Sequence, residues 1–380
     1  MIVAGVMSGT SADGINVALV RIADGAKNLQ FKLLGHTEIA YPKAVRQAVL
    51  SAMNASSISV ADLARLNFVL AELYAGAVIA AQKKFRIKAE LVGCHGQTIY
   101  HQGDAAPFLG RKVAVTWQTG EGAVLAARVG APVVSDFRPA DMAVGGKGAP
   151  LVPFLDYFLY RDPKVGRIVQ NIGGIGNLTA IAANATPKQV VAFDTGPGNM
   201  VIDAVTQKLF GKPFDREGKI AAQGTPREDV IGHFLKMPFF ASKPPRTAGR
   251  EEFGAAFVRS FLGRCGKTKK EDVVATATAF TARSIAESLK SFVIKKNSYR
   301  DFIVSGGGTR NATLLAMLAN ELKPIGLQVR STDEFGLPSE AKEAAAFALL
   351  AYQTWHRRTS NIPSATGAKR PAILGKISYA

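Results

Sequence analysis

The sequence predicts an α/β protein with two lobes, and three observations favour this class. Apolar runs typical of buried strands alternate along the chain with segments of helical periodicity. Two of these runs lead into glycine-rich turns far apart in the sequence, at residues 9–14 and 194–199. A length of 380 residues is also more than one hydrophobic core usually organises, so two lobes are expected.

The first segment alternates with a two-residue period on both sides of the first glycine-rich turn. This pattern predicts a β-hairpin over residues 2–20 with the turn at its tip. Later strands are predicted at residues 91–93, 132–134, 167–170, 179–181, 189–193 and 302–304. Helices are predicted at residues 42–53, 60–84, 120–129, 200–208, 275–290 and 342–355.

The two glycine-rich turns favour binding of a polyphosphate. Glycine lets backbone N–H groups approach an anion closely, and the hydroxyls of Thr10, Ser11 and Thr195 can add donors. The aspartates of the turns can reach a bound Mg²⁺ or a reacting hydroxyl. Together these features predict phosphoryl transfer, although an ordinary hairpin turn would select the same residue types at the first position.

A third glycine-rich segment, residues 304–311, follows the strand predicted at 302–304 and suits a flat ring lying on bare backbone. Competing nucleotide motifs are incomplete. The P-loop-like Gly266-Lys267-Thr268 has Phe261 where the opening glycine belongs. The two partial dinucleotide fingerprints have Thr179 and Asn311 in place of their third glycine.

The composition excludes several classes of protein. A net charge of +18 is compatible with nucleic-acid binding, but the basic residues are scattered in short groups such as Lys83-Lys84, residues 267–270 and Lys295-Lys296. We therefore expect no nucleic-acid partner, and a surface charge that suits small anionic ligands. Two distant cysteines and five histidines without ligand spacing give no disulfide framework and no zinc motif.

The expected location is the cytoplasm. The cysteine usage suits a reducing compartment, and the N-terminus lacks the pattern of a signal peptide. No apolar stretch approaches the roughly 20 residues of a membrane helix, so no membrane partner is expected.

A set of motifs in a fixed order makes the prediction more specific. They occupy residues 5–15, 95–98, 136–138, 148–153, 171–174 and 193–199, followed by 247–251, 306–311, 342–344 and 366–368. Together they resemble the signatures of the anhydro-N-acetylmuramic acid kinase family, within the actin, hexokinase and Hsp70 superfamily. The resemblance covers nearly the whole chain.

The resemblance implies a two-lobed ATPase-like fold with a central nucleotide cleft. The expected lobes are residues 1–130 plus 345–380, with the phosphate hairpin, and residues 131–344, with the second phosphate turn and the adenosine loop. It also implies an ATP- and Mg²⁺-dependent reaction in peptidoglycan recycling by a cytoplasmic homodimer. Water opens the 1,6-anhydro bridge of 1,6-anhydro-N-acetylmuramic acid, and the released six-oxygen receives the γ-phosphoryl group.

Asp194 is the predicted general base, because a carboxylate at the end of a strand can project into a cleft and accept a proton. A structural carboxylate that caps the following helix is the alternative. The resemblance gives Glu343 a role near metal and substrate, whereas a helix-dipole charge is its alternative. Thr98 matches a substrate-contacting threonine or is a buried loop hydroxyl. His95 is expected to be structural, and Asp136 with Arg138 to form a polar brace.

The predicted ATP-binding residues belong to the glycine-rich segments. They are Gly9, Thr10, Ser11, Ala12, Asp13, Gly14, Ile15, Asn16, Gly173, Gly174, Gly196, Gly198, Gly306, Gly307, Gly308 and Asn311. Glu343 and Asp13 are the candidate Mg²⁺ ligands, and Thr98, Asp194 and Glu343 the candidate substrate contacts. Asn16 departs from the family, which usually has aspartate there.

Two alternative functions remain open on the sequence. A levoglucosan kinase or another anhydrosugar kinase would share the nucleotide motifs and differ in the sugar pocket. A non-catalytic, actin-like sugar sensor would bind ATP without phosphorylating sugar. Asp194 and Glu343 together favour an enzyme, because a protein that only binds ATP requires neither carboxylate.

Overall fold

The computed structural model describes residues 1–25, 29–294 and 298–380, so the basic pair Lys295-Lys296 lies outside the described residues. The strands are β1 (Ile2–Met7), β2 (Gly14–Ala23), β3 (Gln30–Ala40), β4 (Leu91–Cys94), β5 (Gln97–Phe108), β6 (Arg111–Thr119), β7 (Val133–Ser135), β8 (Arg167–Ile172), β9 (Ile175–Ile181), β10 (Val191–Pro197), β11 (Asp301–Ser305), β12 (Gln328–Ser331) and β13 (Lys376–Ser378).

Helices alternate with these strands, as the sequence predicts. They are α1 (Lys43–Ala52), α2 (Val60–Phe85), α3 (Gly122–Val129), α4 (Phe137–Ala143), α5 (Pro153–Tyr160), α6 (Asn199–Phe210), α7 (Glu228–Phe234), α8 (Pro238–Ala241), α9 (Arg250–Phe253), α10 (Ala255–Cys265), α11 (Lys270–Phe292), α12 (Ala312–Leu322), α13 (Lys342–Trp355) and α14 (Pro363–Thr366).

The chain divides into two compact units, the first formed by Met1–Leu155 with Gly336–Ala380 and the second by Asp156–Phe335. The α/β class is confirmed. The boundaries differ from the expected 130 and 345, because β7 pairs with β4 and β13 inside the sheet of the first unit. Glu343, expected in the second lobe, consequently belongs to the first unit.

The first unit is built on a six-stranded sheet with the order β13-β7-β4-β1-β2-β3. β1 and β2 form the predicted antiparallel hairpin, and β1 also runs parallel to β4. Strands β5 and β6 form a separate antiparallel pair that begins directly after β4. The first phosphate turn therefore lies at the tip of a hairpin that is anchored in the middle of a sheet.

Helix α13 lies directly on this sheet at two glycines. Gly5 of β1 and Gly93 of β4 are neighbours in register. A Cβ atom on Gly5 would overlap the carbonyl oxygen of Ala344, and one on Gly93 would overlap that of Phe347. Because only glycine permits this approach of helix backbone to strand backbone, the pair fixes the position of the helix that includes Glu343.

The second unit is built on a five-stranded sheet with the order β10-β9-β8-β11-β12. β8, β9 and β10 form an antiparallel meander, and β11 runs parallel to both β8 and β12. The long helix α11 contributes Phe280, Ile285 and Leu289 to its core, as predicted. Phe280 lies in contact with the rings of Phe257 and Phe261 of α10.

One helix within the described residues, α2, is long and apolar enough to cross a membrane, with a mean hydropathy of 1.5 over its most apolar stretch. This differs from the expectation that no stretch approaches that length. Its buried residues recur every three or four positions, at Leu63, Leu66, Leu70, Tyr74, Ala77 and Ala81. This spacing is that of a helix with one face packed in a core, and these side chains belong to the core of the first unit.

Candidate active site

The first glycine-rich turn, residues 9–14, is held in place by the first residue of β5. The Ser8 hydroxyl lies 3.0 Å from the Gly14 carbonyl oxygen and 2.8 Å from Oε1 of Gln97. Gln97, which is fully buried, also donates from Nε2 to the Gly9 carbonyl oxygen at 3.2 Å. Sequence analysis quoted Gln97 in a motif without assigning it a role. The structure identifies it as the residue that holds the turn.

The predicted ATP-binding residues of this turn differ in their exposure to solvent. Thr10, Ser11 and Asp13 are exposed and can meet a ligand, whereas Ala12, Gly14 and Ile15 are buried and shape the turn. The Asp13 carboxylate forms an exposed ion pair with Arg46 at 3.1 Å. A metal ion at Asp13 would therefore compete with a guanidinium.

Asn16 contacts a histidine of the adjacent strand. Its Oδ1 lies 3.0 Å from Nε2 of His36, and burial lowers the pKa of His36, which keeps the ring neutral near pH 7. A neutral amide suits a neutral imidazole, since an aspartate here would favour the charged ring. Asn16 and His36 thus form a matched uncharged pair.

His95 is structural in this arrangement. Its Nδ1 lies 2.7 Å from the Gly96 carbonyl oxygen, so Nδ1 bears the hydrogen and Nε2 accepts from Nε of Arg138 at 3.0 Å. Burial, helped by the charge of Arg138, lowers the pKa of His95 to about 3. The ring therefore stays neutral and orients the guanidinium.

The predicted brace between Asp136 and Arg138 is wrong. Asp136 pairs with Lys376 at 3.0 Å, while Arg138 donates to His95 and, from Nη1, to the Gly148 carbonyl oxygen at 2.7 Å. Asp136 is the N-cap residue of α4, whereas Arg138 lies in the first turn of this helix, so the two side chains meet different groups.

Glu343 lies in the first turn of α13 and remains accessible to solvent. Desolvation by surrounding protein atoms nevertheless raises the pKa of its carboxyl group, whereas the positive charges of Lys342 and Arg138 act to lower it. Thr98, the predicted substrate contact, is partly buried, and its Oγ1 accepts from Nε2 of Gln118 at 3.3 Å. Within the first unit, Arg138 and Glu343 lie close enough for the charge of each to affect the pKa of the other.

Asp141 is a residue that sequence analysis missed. It is completely buried and accepts from the Gly148 N–H at 2.9 Å, from Nδ2 of Asn361 at 2.7 Å and from Oγ1 of Thr366 at 2.8 Å. The motifs at 148–153 and 366–368 are therefore connected through one carboxylate.

In the second unit, Asp194 lies on β10 at an irregularity in the pairing with β9. Its Oδ2 accepts from the Ala248 N–H at 2.8 Å. Burial raises the pKa of Asp194 to about 6, although the Ala248 N–H and Arg246 favour the ionised form. The following helix has Gly198 as its N-cap, with no side-chain cap bond. Asp194 therefore does not act as the helix cap that was its structural alternative.

Arg246 fixes the backbone at Asp194 and was also missed. Its Nε donates to the Asp194 carbonyl oxygen at 3.0 Å, and its own carbonyl oxygen accepts from the Asp194 N–H at 3.1 Å. Nη2 donates to the Ser288 hydroxyl at 2.8 Å, and Nη1 to three carbonyl oxygens of residues 239–242. Because its partners come from separate segments, no spacing in the sequence marks it.

The glycine turns at 173–174 and 196–199 are bonded to each other. The Gly198 N–H donates to the Gly174 carbonyl oxygen at 2.9 Å, and the Asn199 N–H to that of Gly173 at 2.7 Å. Gly196 has a φ of 132°, which requires glycine. The Gly198 N–H is thus already used inside the fold, and this glycine shapes the turn.

The predicted adenosine loop borders a cavity of about 690 Å³ within the second unit. Gly307 and Asn311 line it together with Asn199, and Gly306 has a φ of 86° where a Cβ atom would meet the Ile172 carbonyl oxygen at 2.7 Å. The volume is in the range of small-molecule sites.

Sequence analysis assigned no role to the other residues that line this cavity, which are Asp203, Phe214, Asp215, Arg216, Glu217 and Arg310. One signal was present, because Asp203 follows Asn199 by four positions and so lies on the same face of α6. Burial, and next the neighbouring Asp215, raise the pKa of Asp203 to about 6.

A fold of alternating strands and helices, with an acid on β10 and a glycine loop beside a cavity, is typical of the class of nucleotide-dependent phosphotransferases. The family model for anhydro-N-acetylmuramic acid kinase matches residues 1–380. The chain belongs to the anhydro-N-acetylmuramic acid kinase family.

Relatives named anhydro-N-acetylmuramic acid kinase align over the whole chain. That of Bacillus cereus (strain Q1) is 44% identical over 382 residues, covering 100% of this chain and 99% of the relative. That of Bacillus thuringiensis subsp. konkukian (strain 97-27) is 43% identical with the same coverage. That of Bacillus anthracis (strain CDC 684 / NRRL 3495) is 42% identical over 100% of this chain and 99% of its own length.

Solved structures show a more distant similarity. Component A of (R)-2-hydroxyglutaryl-CoA dehydratase from Acidaminococcus fermentans has a TM-score of 0.44 at 13% identity, covering 93% of this chain and 98% of its own. A ROK hexokinase from Thermus thermophilus has a TM-score of 0.41 at 14% identity, covering 93% and 99%.

Proposed function

We propose that this protein is an ATP-dependent kinase that hydrolyses the 1,6-anhydro bridge of 1,6-anhydro-N-acetylmuramic acid and phosphorylates the six-oxygen. The observation that carries this proposal is the Asp194 carboxylate, held within β10 by the Ala248 N–H with a pKa of about 6 in a chain of this family. Such a group is ionised near neutral pH and is basic enough to accept a proton.

In the proposed reaction Asp194 takes a proton from water, whose oxygen bonds to the anomeric carbon as the bond from that carbon to the six-oxygen breaks. The released six-oxygen bonds to the γ-phosphorus of ATP, and ADP leaves. The Ala248 N–H and Arg246 orient the carboxylate by the contacts described above. Thr98, Asp194 and Glu343 are the proposed sugar contacts.

We assign adenosine to the cavity beside Gly307 and Asn311, and the phosphates to the exposed Thr10 and Ser11 and to the turn at Gly173-Gly174. Three features support this assignment: an open cavity, glycines that expose backbone N–H groups, and the hydroxyl donors of the first turn. Because its N–H is engaged, Gly198 is proposed to shape this site without donating to phosphate.

Glu343 and Asp13 are the residues that would hold Mg²⁺. The described residues contain no group of three or more His, Cys, Asp or Glu able to form a complete metal cage. This donor set fits Mg²⁺, which is commonly held by one or two carboxylates together with phosphates and water. When bound, the ion would neutralise charge on the phosphates.

The cellular context is part of the proposal. The product would be N-acetylmuramic acid 6-phosphate, made in the cytoplasm during peptidoglycan recycling by a homodimer, as the family resemblance implies. The free, buried thiols of Cys94 and Cys265 suit a reducing compartment.

The test is incubation with ATP, Mg²⁺ and a panel of anhydrosugars in H₂¹⁸O, with early products analysed by mass. The label is expected on the anomeric oxygen and not in the transferred phosphate. A label in phosphate would indicate ATP hydrolysis, and an unlabelled sugar would contradict the coupled mechanism. Faster turnover of levoglucosan than of 1,6-anhydro-N-acetylmuramic acid would favour the alternative kinase.

A further inference from the structure

Arg138 is a partly buried cation whose direct hydrogen-bond partners are neutral. Nε donates to the neutral ring of His95, and Nη1 donates to a main-chain carbonyl oxygen. Nη2 makes no hydrogen bond to the described residues. Glu343 and Asp141 act on the guanidinium only through space, and burial lowers its pKa to about 10. A partly buried guanidinium without a hydrogen-bonded anion has a free donor for an anionic ligand.

Gln118 is a buried amide with the complementary deficiency. It is 8% exposed, and its Nε2 donates to the hydroxyl oxygens of Thr98 at 3.3 Å and Thr116 at 2.8 Å. Its Oε1 has no hydrogen-bond partner among the described residues. Exchange of the two ends of the amide would leave the nitrogen without a partner instead. In either orientation one polar atom of Gln118 is unsatisfied, which costs free energy unless a ligand or water supplies the partner.

The two residues belong to one polar cluster in the first unit. Thr98 and Gln118 face each other in the pairing of β5 with β6, and His101 faces Thr116 two residues further along β6. Nδ1 of His101 lies 3.0 Å from the Thr116 hydroxyl. Burial, and next the charge of Arg138, lower the pKa of His101 to about 4, so the guanidinium lies close to this end of the hairpin.

We propose that this cluster recognises the substituents that distinguish the sugar, with Nη2 of Arg138 binding its carboxylate and the Gln118 amide binding its acylamino group. The proposal rests on the proposed function and assigns the specificity within it. A guanidinium paired with neutral groups is complementary to a carboxylate. A secondary amide offers both a donor N–H and an acceptor oxygen, so it satisfies Gln118 in either orientation.

Two pairs of sugars separate these two contacts. 1,6-Anhydro-N-acetylmuramic acid and its lactyl carboxamide differ only in the charge that Arg138 would bind. 1,6-Anhydro-N-acetylglucosamine and levoglucosan differ only in the acetamido group that Gln118 would bind. For the wild-type protein, kcat/KM is expected to favour the first sugar of each pair by at least about tenfold, since sites with buried polar groups reject ligands that leave them unpaired.

Arg138→Met should bring the acid-to-carboxamide ratio to within about threefold of one and leave the acetamido ratio unchanged, because it removes the cation that would bind the carboxylate and keeps Gln118. Gln118→Leu should have the opposite pattern. Arg111→Met and Gln47→Leu are matched controls, since both side chains are exposed, and both ratios should stay at the wild-type values. Arg138→Gln and Gln118→Met, which remove the same charge or the same amide, provide second variants with the same expected ratios if the first pair folds poorly.

A wild-type protein that phosphorylates no anhydrosugar would contradict the proposed function itself. A wild-type protein that is active, with variants that lower kcat/KM equally for all four sugars, would overturn only the specificity inference and show a structural role. A structure of the wild-type protein with the acid bound must also place a carboxylate oxygen within hydrogen-bond distance of Nη2 of Arg138. Placement elsewhere would refute the assignment.

Discussion

Nε2 of Gln97 donates to the carbonyl oxygen of Gly9 at 3.2 Å and thereby joins the start of β5 to the first phosphate turn. Oε1 of the same side chain lies 2.8 Å from the Ser8 hydroxyl oxygen. One buried amide thus determines the conformation of a loop more than 80 positions earlier in the chain.

Gln97→Leu should leave the Gly9 carbonyl oxygen and the Ser8 hydroxyl short of partners, lowering the free energy of unfolding by about 1–3 kcal/mol. ATP affinity should fall several-fold because the turn loses its brace. Urea denaturation and calorimetric titration with ATP measure the two effects, with the exposed Gln47→Leu as control. An unchanged ATP affinity in a destabilised variant would show that the turn does not depend on this residue.

Asp194→Asn should leave ATP binding nearly unchanged and lower turnover by about 10²–10⁴, the range for loss of a general base. The asparagine keeps the size of the side chain and can still accept from the Ala248 N–H. Steady-state kinetics and ATP titration test the prediction together. Turnover above one tenth of the wild-type value would remove Asp194 from this role.

The pH dependence of kcat should show an acidic limb with an apparent pKa of about 6. The proposed base works ionised, so activity is lost as pH falls through that value. The limb should be absent from the residual activity of Asp194→Asn. An unchanged limb in this variant would assign the titration to another group.

The same shift makes a prediction about stability with the opposite sign. Burial raises the folded-state pKa of Asp194 from 3.8 to about 6. The folded protein therefore binds more protons in this window, and the corresponding stabilisation is lost as pH rises through it. Denaturation midpoints should show the stability of Asp194→Asn relative to wild type increasing from pH 4 to pH 7. A difference that does not change with pH would contradict the shift.

Gly5→Ala should destabilise the first unit by about 1–3 kcal/mol, because the new methyl group overlaps the Ala344 carbonyl oxygen. Turnover should fall as well, since α13 must shift and Glu343 moves with it. Gly76→Ala is the control, because this glycine lies inside α2 with no atom within 4 Å of the added carbon. The control should be neutral or slightly stabilising in thermal unfolding.

Asn16→Asp should raise the pKa of His36, because a carboxylate at 3.0 Å favours the charged ring. NMR titration of the histidine measures this directly. If the missing family carboxylate matters for the metal, the same variant should also lower the Mg²⁺ concentration required for half-maximal activity. Identical Mg²⁺ curves would show that this chain functions without that carboxylate.

Much of the fold was predictable because it depends on local patterns. Periodicity gave the hairpin at the first turn and the helix Lys342–Trp355. It also gave the strand at Asp194, but the predicted end at residue 193 was wrong, because β10 continues through Asp194 to Pro197. Several of the predicted site residues lie at an exposed turn or beside a cavity.

The remaining features depend on contacts between segments that are distant in sequence. Arg246 bonds to groups on separate segments, and Asp141 bonds to residues more than 200 positions away. Asp203 and Phe214 meet at the cavity only through the fold of the second unit. The unit boundary was misplaced for the same reason, since β7 is assigned by its pairing with β13.

That pairing has a consequence for synthesis of the chain. β7 joins β13, and β1 lies under α13, so the first unit requires both ends of the sequence. The second unit is continuous and contains its own sheet and core. During synthesis on the ribosome, the second unit can therefore fold before residues 336–380, which complete the first unit, have been made. Stalled or truncated chains would expose the surface of the N-terminal sheet that α13 normally covers.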